Sequence, residues 1–321
     1  MSWRVPVANE SRNILGSQTL GNKDDSAGHN SVIGWLKSLV NTGMVAGQPW
    51  FVDSVSGLAT YDGKAWTQAK ATIATAVALA SAGDTIFLQG SFSEAVTCSL
   101  AGLSFRGIGT GPQATQWTGA ADAVCLTLAA ERCLVENIKF RPPAYTAGTP
   151  AAIVLSNAGY SIIKGNRFQG KTGSYFGIHS PVCNSDNVQI LDNEFLYLNN
   201  VTTVNGSAIV GVEAGGLSYS AWKIKGNSFD SCVVAVNING RVCHVIGNYF
   251  GGLTGITAAG AVGNVCTTKL DLSGTSSGGN RVFGNHFGLT YSHAGGYREA
   301  ASGDDWAGNY IVGGLTTGVP S

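Results

Sequence analysis

Ile162-Ile163-Lys164-Gly165-Asn166-Arg167-Phe168 is one copy of a phrase that returns through the second half of the chain. It recurs as Gln189-Ile190-Leu191-Asp192-Asn193-Glu194-Phe195 and as Lys223-Ile224-Lys225-Gly226-Asn227-Ser228-Phe229. Shorter copies are Val245-Ile246-Gly247-Asn248-Tyr249-Phe250 and Val282-Phe283-Gly284-Asn285-His286-Phe287. Looser ones are Val135-Glu136-Asn137-Ile138-Lys139-Phe140 and Trp306-Ala307-Gly308-Asn309-Tyr310-Ile311. The terminal apolar residues stand at 140, 168, 195, 229, 250, 287 and 311, at intervals of 28, 27, 34, 21, 37 and 24 residues. An internal period in this range means stacked supersecondary units.

The intervals contain short β-branched runs, such as Ala152-Ile153-Val154-Leu155 and Val233-Val234-Ala235-Val236-Asn237-Ile238, and no helical period after residue 81. Several short strands per repeat predict a solenoid whose coils stack at about 4.8 Å, the strand spacing. The Ile or Val of each phrase points inward. Gly-Asn makes a bend, because both residues tolerate left-handed backbone angles. The Phe two residues later re-enters the interior. Stacking therefore predicts an internal Phe ladder and an Asn ladder at one corner.

The pattern resembles the right-handed parallel β-helix of the pectate-lyase-like superfamily, over roughly residues 50–315. The expected fold is all-β, with a short helix closing the first coil. That helix is expected at about 66–80, where Trp66, Ala69, Ile73, Val77 and Ala80 share one face and Gly83-Asp84 ends the run. An open first coil would expose core and unpaired strand edges.

Residues 1–48 read as a separate segment and 49–321 as the solenoid. In the first segment Asn30 or Ser31 caps a short helix. Its apolar face is Val32, Ile33, Trp35, Leu36, Leu39 and Val40, and Asn41-Thr42-Gly43 stops it. So short a helix is not stable alone. The expectation is packing on the solenoid or, as a trimerisation element, in a three-helix bundle on a symmetry axis. Leu20-Gly21-Asn22-Lys23-Asp24-Asp25 followed by Asn30–Val40 also resembles segments near the start of tailed-phage virion proteins. That resemblance implies attachment of a projecting protein to a virus particle, with other virion proteins as partners.

Composition narrows the function classes. The 321 residues carry 19 basic and 19 acidic side chains, so the formal net charge is zero, and charged residues make up only 12%. A nucleic-acid footprint needs a basic stripe, and the sequence has none. No stretch is long and apolar enough for a membrane span. Polar but weakly charged flanks suit burial against identical neighbours, which predicts a homotrimer. The seven cysteines form no C-x-x-C pair and are expected to be small buried residues. The opening Met1-Ser2-Trp3-Arg4-Val5-Pro6 lacks a charged-then-apolar start, so assembly in a reducing cytoplasm is expected.

The superfamily hosts carbohydrate lyases and hydrolases, which need paired carboxylates or a cationic base, often with a metal. Asp192, Glu194 and Asp230 are the candidate catalytic acids, brought near one corner if the coils stack in register. His179, Arg241, His244, His286 and His293 sit in no lyase signature, and His286 reads as the variable letter of its repeat. No cofactor or metal site is expected. Tyr197, Tyr219 and Trp222 are the candidate glycan-stacking aromatics among those near turns. The expected function is a structural virion protein, a capsid decoration or spike exposed on the particle, binding bacterial surface glycans. The alternative is a tailspike depolymerase cleaving such a polysaccharide, and a free extracellular carbohydrate-active enzyme stands third.

Overall fold

In the computed structural model the described residues are 47–109, 111, 114–119, 123–142, 151–170, 176–182, 184–198, 207–211, 219–232, 234–251, 268–271, 279–287, 297–298, 304–311 and 314–316. The expected helix carrying Val32, Ile33, Trp35, Leu36, Leu39 and Val40 lies outside them.

Within each repeated phrase the two halves are separate strands on two faces of a coil. Ile162–Lys164 pairs in parallel with Leu134–Glu136 below and Gln189–Leu191 above, forming face A. Arg167–Gln169 pairs with Lys139–Arg141 and Glu194–Leu196, forming face B. The β-branched runs make face C, where Ala151–Leu155, Phe176–His179, Ser207–Gly211 and Val234–Ile238 stack in parallel. Faces A and B join as one 19-stranded sheet because Thr85–Ser93 runs along both, and face C is an 8-stranded sheet. The result is a parallel β-helix with the apolar core inside.

Side-chain alternation fills that core. Val135, Ile163, Ile190, Ile224, Val245 and Val282 stack inside face A in one register column. Inside face B, Trp117, Phe140, Phe168, Phe195, Phe229, Phe250 and Phe287 stack with successive ring centroids 5.7, 5.2, 4.6, 5.0, 5.0 and 4.8 Å apart. Ile153, Ile178, Ile209, Val236 and Leu270 line face C.

The bend between faces A and B divides its labour more sharply than the sequence suggests. Only the first of its two residues is left-handed: Gly165, Gly226 and Gly247, with Asn137 (φ 57°) and Asp192 (φ 54°) in the same place in their own coils. The following Asn points inward and is buried. Asn166 Nδ2 and its backbone N–H both donate to Asn193 Oδ1, and Asn193, Asn227, Asn248 and Asn285 repeat this to the next coil, ending at Asn309. Each Nδ2 also reaches a face A carbonyl one coil back, as Asn193 does to Ile163 O at 2.9 Å. A buried amide is tolerable only when satisfied in this way. The ladder begins on Ile138 N–H, which donates to Asn166 Oδ1 at 3.0 Å.

The entrance to face A is a second strained corner. Arg132, Tyr160, Asn187, Ala221 and Val242 are left-handed there, with φ of 60°, 60°, 57°, 57° and 54°. The residue after each is buried: Cys133, Ser161, Val188, Trp222 and Cys243.

The closing helix is shorter than the pattern predicts. Trp66–Gln68 is a single 3-10 turn, and the α-helix is Ile73–Leu79. Between them Lys70 joins the sheet: Lys70 N donates to Phe51 O and Asp53 N donates to Lys70 O. Two strand hydrogen bonds thus replace the middle of the expected helix, and Thr72 Oγ1 caps the remainder by accepting from Thr75 N. Ile73 and Ala76 plug the first coil. Asp84 fixes the junction, accepting from Trp50 Nε1 and Ser81 N at 2.8 Å each. At the other end Gly314–Thr316 folds back antiparallel on Asn309–Ile311.

Candidate functional site

On face B, residues alternate with the Phe ladder and face outward. In register they are Lys139, Arg167, Glu194, Ser228, Tyr249, His286 and Tyr310. These are the variable letters of the repeated phrase. In six of the seven copies the next residue is a buried Phe of the ladder, which fixes the outward direction of the residue before it.

The column changes character along its length. At the first coils it is charged. Arg167 Nε meets Glu194 Oε2 at 3.3 Å. Lys139 is held below the ordinary lysine range, first by desolvation and then by Arg141 and Arg167. At the last coils it is aromatic. The Tyr249 and His286 rings lie 5.1 Å apart, and His286 and Tyr310 lie 4.8 Å apart, tilted by 53° and 54°. Tyr249 is 46% exposed and Tyr310 43%. Phe283, on the other side of the same bend, is 53% exposed and its ring edge lies over Gly308. Aromatic surface held in the open on adjacent coils offers ring faces to an apolar or sugar ligand, and the Tyr hydroxyls add polar contacts.

The three candidate acids are dispersed along face B and its bend. Asp192 occupies the left-handed bend, with its carboxylate against Gly226 of the next coil. Glu194 is in the outward column, paired with Arg167. Asp230 pairs in register with Leu196 at the far end of the strand and accepts from Ser231 Oγ at 2.9 Å. The strand Glu194–Leu196 therefore separates the level of Asp192 from that of Asp230.

Among the candidate aromatics, Tyr197 is left-handed and 39% exposed just past face B. Tyr219 lies in the short strand Tyr219–Ser220, paired with Gly240–Arg241. Trp222 must be corrected: it is fully buried in the core, and its Nε1 donates to Ser185 O. The residue after the left-handed corner turns inward in every coil, so Trp222 presents no face to a ligand.

Face C carries His179 on the strand Phe176–His179. His179 shares an outward column with Val154 and Val210, and its ring lies 4.5 Å from Phe176. Phe176, Ala151 and Val210 form an apolar cluster with Val154 outside the main core. Burial there pushes His179 down to about 4, and its Nδ1 has no hydrogen-bond partner. The imidazole is therefore neutral near pH 7. The described residues hold no group of three or more His, Cys, Asp or Glu able to bind a metal. Nor do they include a helix long and apolar enough to cross a membrane.

No family model matches the sequence, and no curated protein matches it. Solved structures do. A pectate lyase from Bacillus sp. N165, solved with trigalacturonate, matches with a TM-score of 0.52 and 15% identity over 88% of this chain and 89% of its own. A rhamnogalacturonan lyase matches with a TM-score of 0.52 and 9% identity over 85% and 90%. The fold is the right-handed, pectate-lyase-like parallel β-helix. The ORF18 protein of Geobacillus virus E2 also aligns, at a TM-score of 0.47 and 13% identity, over 93% of this chain and 67% of its own. At these identities the likeness to the lyases is one of β-helix architecture alone.

Two features of the outward column escaped sequence reasoning. His286 reads as a variable letter, and Tyr249 and Tyr310 read as further copies of it. The available signal was that variable letter itself: three aromatic rings in consecutive copies immediately before the ladder residue.

Proposed function

We propose that this chain is a structural protein of a tailed-phage particle, a homotrimeric β-helical decoration or spike that binds bacterial surface glycans. The supporting observation is the exposed column Tyr249–His286–Tyr310, with Phe283 beside it, on a sheet too well braced to rearrange. The sequence Gly21-Asn22-Lys23-Asp24-Asp25 and the apolar run expected to form a short helix after it supply the virion part of the reading. The carboxylates support binding over cleavage: Glu194 is neutralised by Arg167, and Asp192 and Asp230 belong to different ends of the strand. The test is to incubate the purified chain with capsular and O-antigen polysaccharides of candidate hosts and to measure its mass in solution. Retention of a polysaccharide without fragment release, by a species of three chains, is the expected result. A monomer that releases oligosaccharides overturns it.

The depolymerase reading rests on His179. A neutral imidazole in a column of face C has the protonation state of a general base, with its Nδ1 enclosed by protein. Under that reading, fragment release is abolished by His179→Ala and left intact by Tyr249→Ala.

A further inference from the structure

Cys98 ends the face C strand Val96–Cys98, and Cys133 follows Arg132 at the corner into face A, 35 positions later. The two side chains are 0% and 1% exposed and both are free thiols. They converge on one carbonyl: Cys98 Sγ lies 3.5 Å and Cys133 Sγ 3.6 Å from Leu100 O. Two sulfurs set against one carbonyl oxygen are neighbours, and each perturbs the proton affinity of the other. Cys125 Sγ reaches Trp117 O, Cys232 Sγ the carbonyls of Phe195 and Asp230, and Cys243 Sγ that of Arg241.

We propose that Cys98 and Cys133 form a latent disulfide, closed by a peroxide, that staples the turn after the Val96–Cys98 strand to the corner of the next coil. The pair is asymmetric in the way such a reaction needs. The neighbouring Cys133 lowers the affinity of Cys98 for a proton against the effect of burial, whereas Cys133 itself is raised, first by Cys98 and then by burial. Cys125, with burial alone dominating, is pushed up to about 12 and stays a thiol. Cys98 is therefore the more readily deprotonated sulfur of the pair and the one that attacks.

The step balances. Cys98 sulfur attacks one peroxide oxygen, the O–O bond breaks, and a sulfenic acid and one water result. Cys133 sulfur then displaces the sulfenic hydroxyl, which leaves with the Cys133 proton as a second water. Both sulfurs are oxidised, and hydrogen peroxide takes up the two electrons. A groove of about 380 Å³ between the closing helix and the first turn of face C is lined by Val77, Ala80, Val96 and Leu100, the last being the residue whose carbonyl the buried thiols share. The cross-link would restrict the unfolded chain across a long loop, which favours the folded state. The step does not depend on the glycan-binding reading.

The experiment treats the full chain with hydrogen peroxide, alkylates free thiols in denaturant, and maps peptides without reduction. The expected result is a Cys98–Cys133 cross-linked peptide two hydrogens lighter than its parts. A dithiothreitol-reversible rise of several degrees in the thermal midpoint should accompany it. Cys125→Ala should keep both effects, and Cys98→Ala and Cys133→Ala should lose both. Recovery of Cys98 and Cys133 as alkylated thiols after treatment overturns the proposal. So does either residue paired elsewhere, or the same midpoint rise in Cys98→Ala. Where an alanine variant fails to fold, the wild-type peptide map decides alone.

Discussion

Asn193 Nδ2 and Asn193 N–H converge on one atom, Asn227 Oδ1, at 3.0 and 2.9 Å. In the other direction Asn227 Nδ2 donates to Ile190 O at 2.9 Å, so this one side chain satisfies three buried groups from the coil below. Asn227→Ala would remove the acceptor of the Asn193 N–H and of one Asn193 Nδ2 hydrogen, and a donor to Ile190 O, in a buried place. Each orphan costs about 1–3 kcal/mol, so a loss of roughly 3 kcal/mol or more is expected. Hydrogen exchange should report it as lost protection at the Asn193 amide and its neighbours, with the first coils unaffected, since solenoid stability is largely a nearest-neighbour property.

Val242 holds φ 54° at an exposed corner. A β-branched residue is badly suited to the left-handed region, and Asn tolerates it. Val242→Asn is expected to stabilise the protein by about 1 kcal/mol, read as a higher urea midpoint. Ala221→Asn should give a gain of the same sign, and no gain in either would show that the corner is unstrained.

The neutral His179 makes stability depend on pH. Its folded value is pushed down to about 4 by burial, against about 6.5 in the unfolded chain. Between those values the unfolded state holds a proton that the folded state lacks. The stability contributed is complete above pH 6.5 and is lost as pH falls to about 4. It amounts to roughly 3 kcal/mol over the window, at about 1.4 kcal/mol per pH unit. Urea midpoints at pH 7 and 4.5 should differ by less in His179→Leu than in the parent chain.

Tyr249→Ala and Tyr310→Ala should each weaken retention on the cognate polysaccharide by roughly 10-fold, a loss of about 1.4 kcal/mol. Neither should shift the thermal midpoint strongly, because both rings are nearly half exposed. Glu194→Gln, in contrast, removes only an exposed ion pair with Arg167 and should cost at most about 1 kcal/mol of stability and no binding. If Glu194→Gln abolished activity and the tyrosine variants did not, the aromatic column would not be the site.

Much of the coil was legible because its physical demands repeat. A residue that must fit above a copy of itself, such as Phe195 between Phe168 and Phe229, leaves a periodic mark in the sequence. Trp222 was misread for the converse reason. Its neighbours suggest a turn, and only the left-handed Ala221 before it shows that the next side chain is driven inward. The helix expected over 66–80 failed in its middle because Lys70 bonds to Phe51 and Asp53, partners remote in sequence that no local period reveals.

The sequence by itself determined the parallel β-helix, the Phe and Asn ladders, and the place of the bends, since each follows from a short-range pattern multiplied by stacking. The tertiary structure alone decided which variable letters become neighbours. Tyr249, His286 and Tyr310 stand 37 and 24 residues apart and touch only because the coils between them, of unequal length, return to the same register. It likewise brought Cys98 and Cys133 onto one carbonyl. Side-chain contact across coils depends on register, and register is a property of the wound chain.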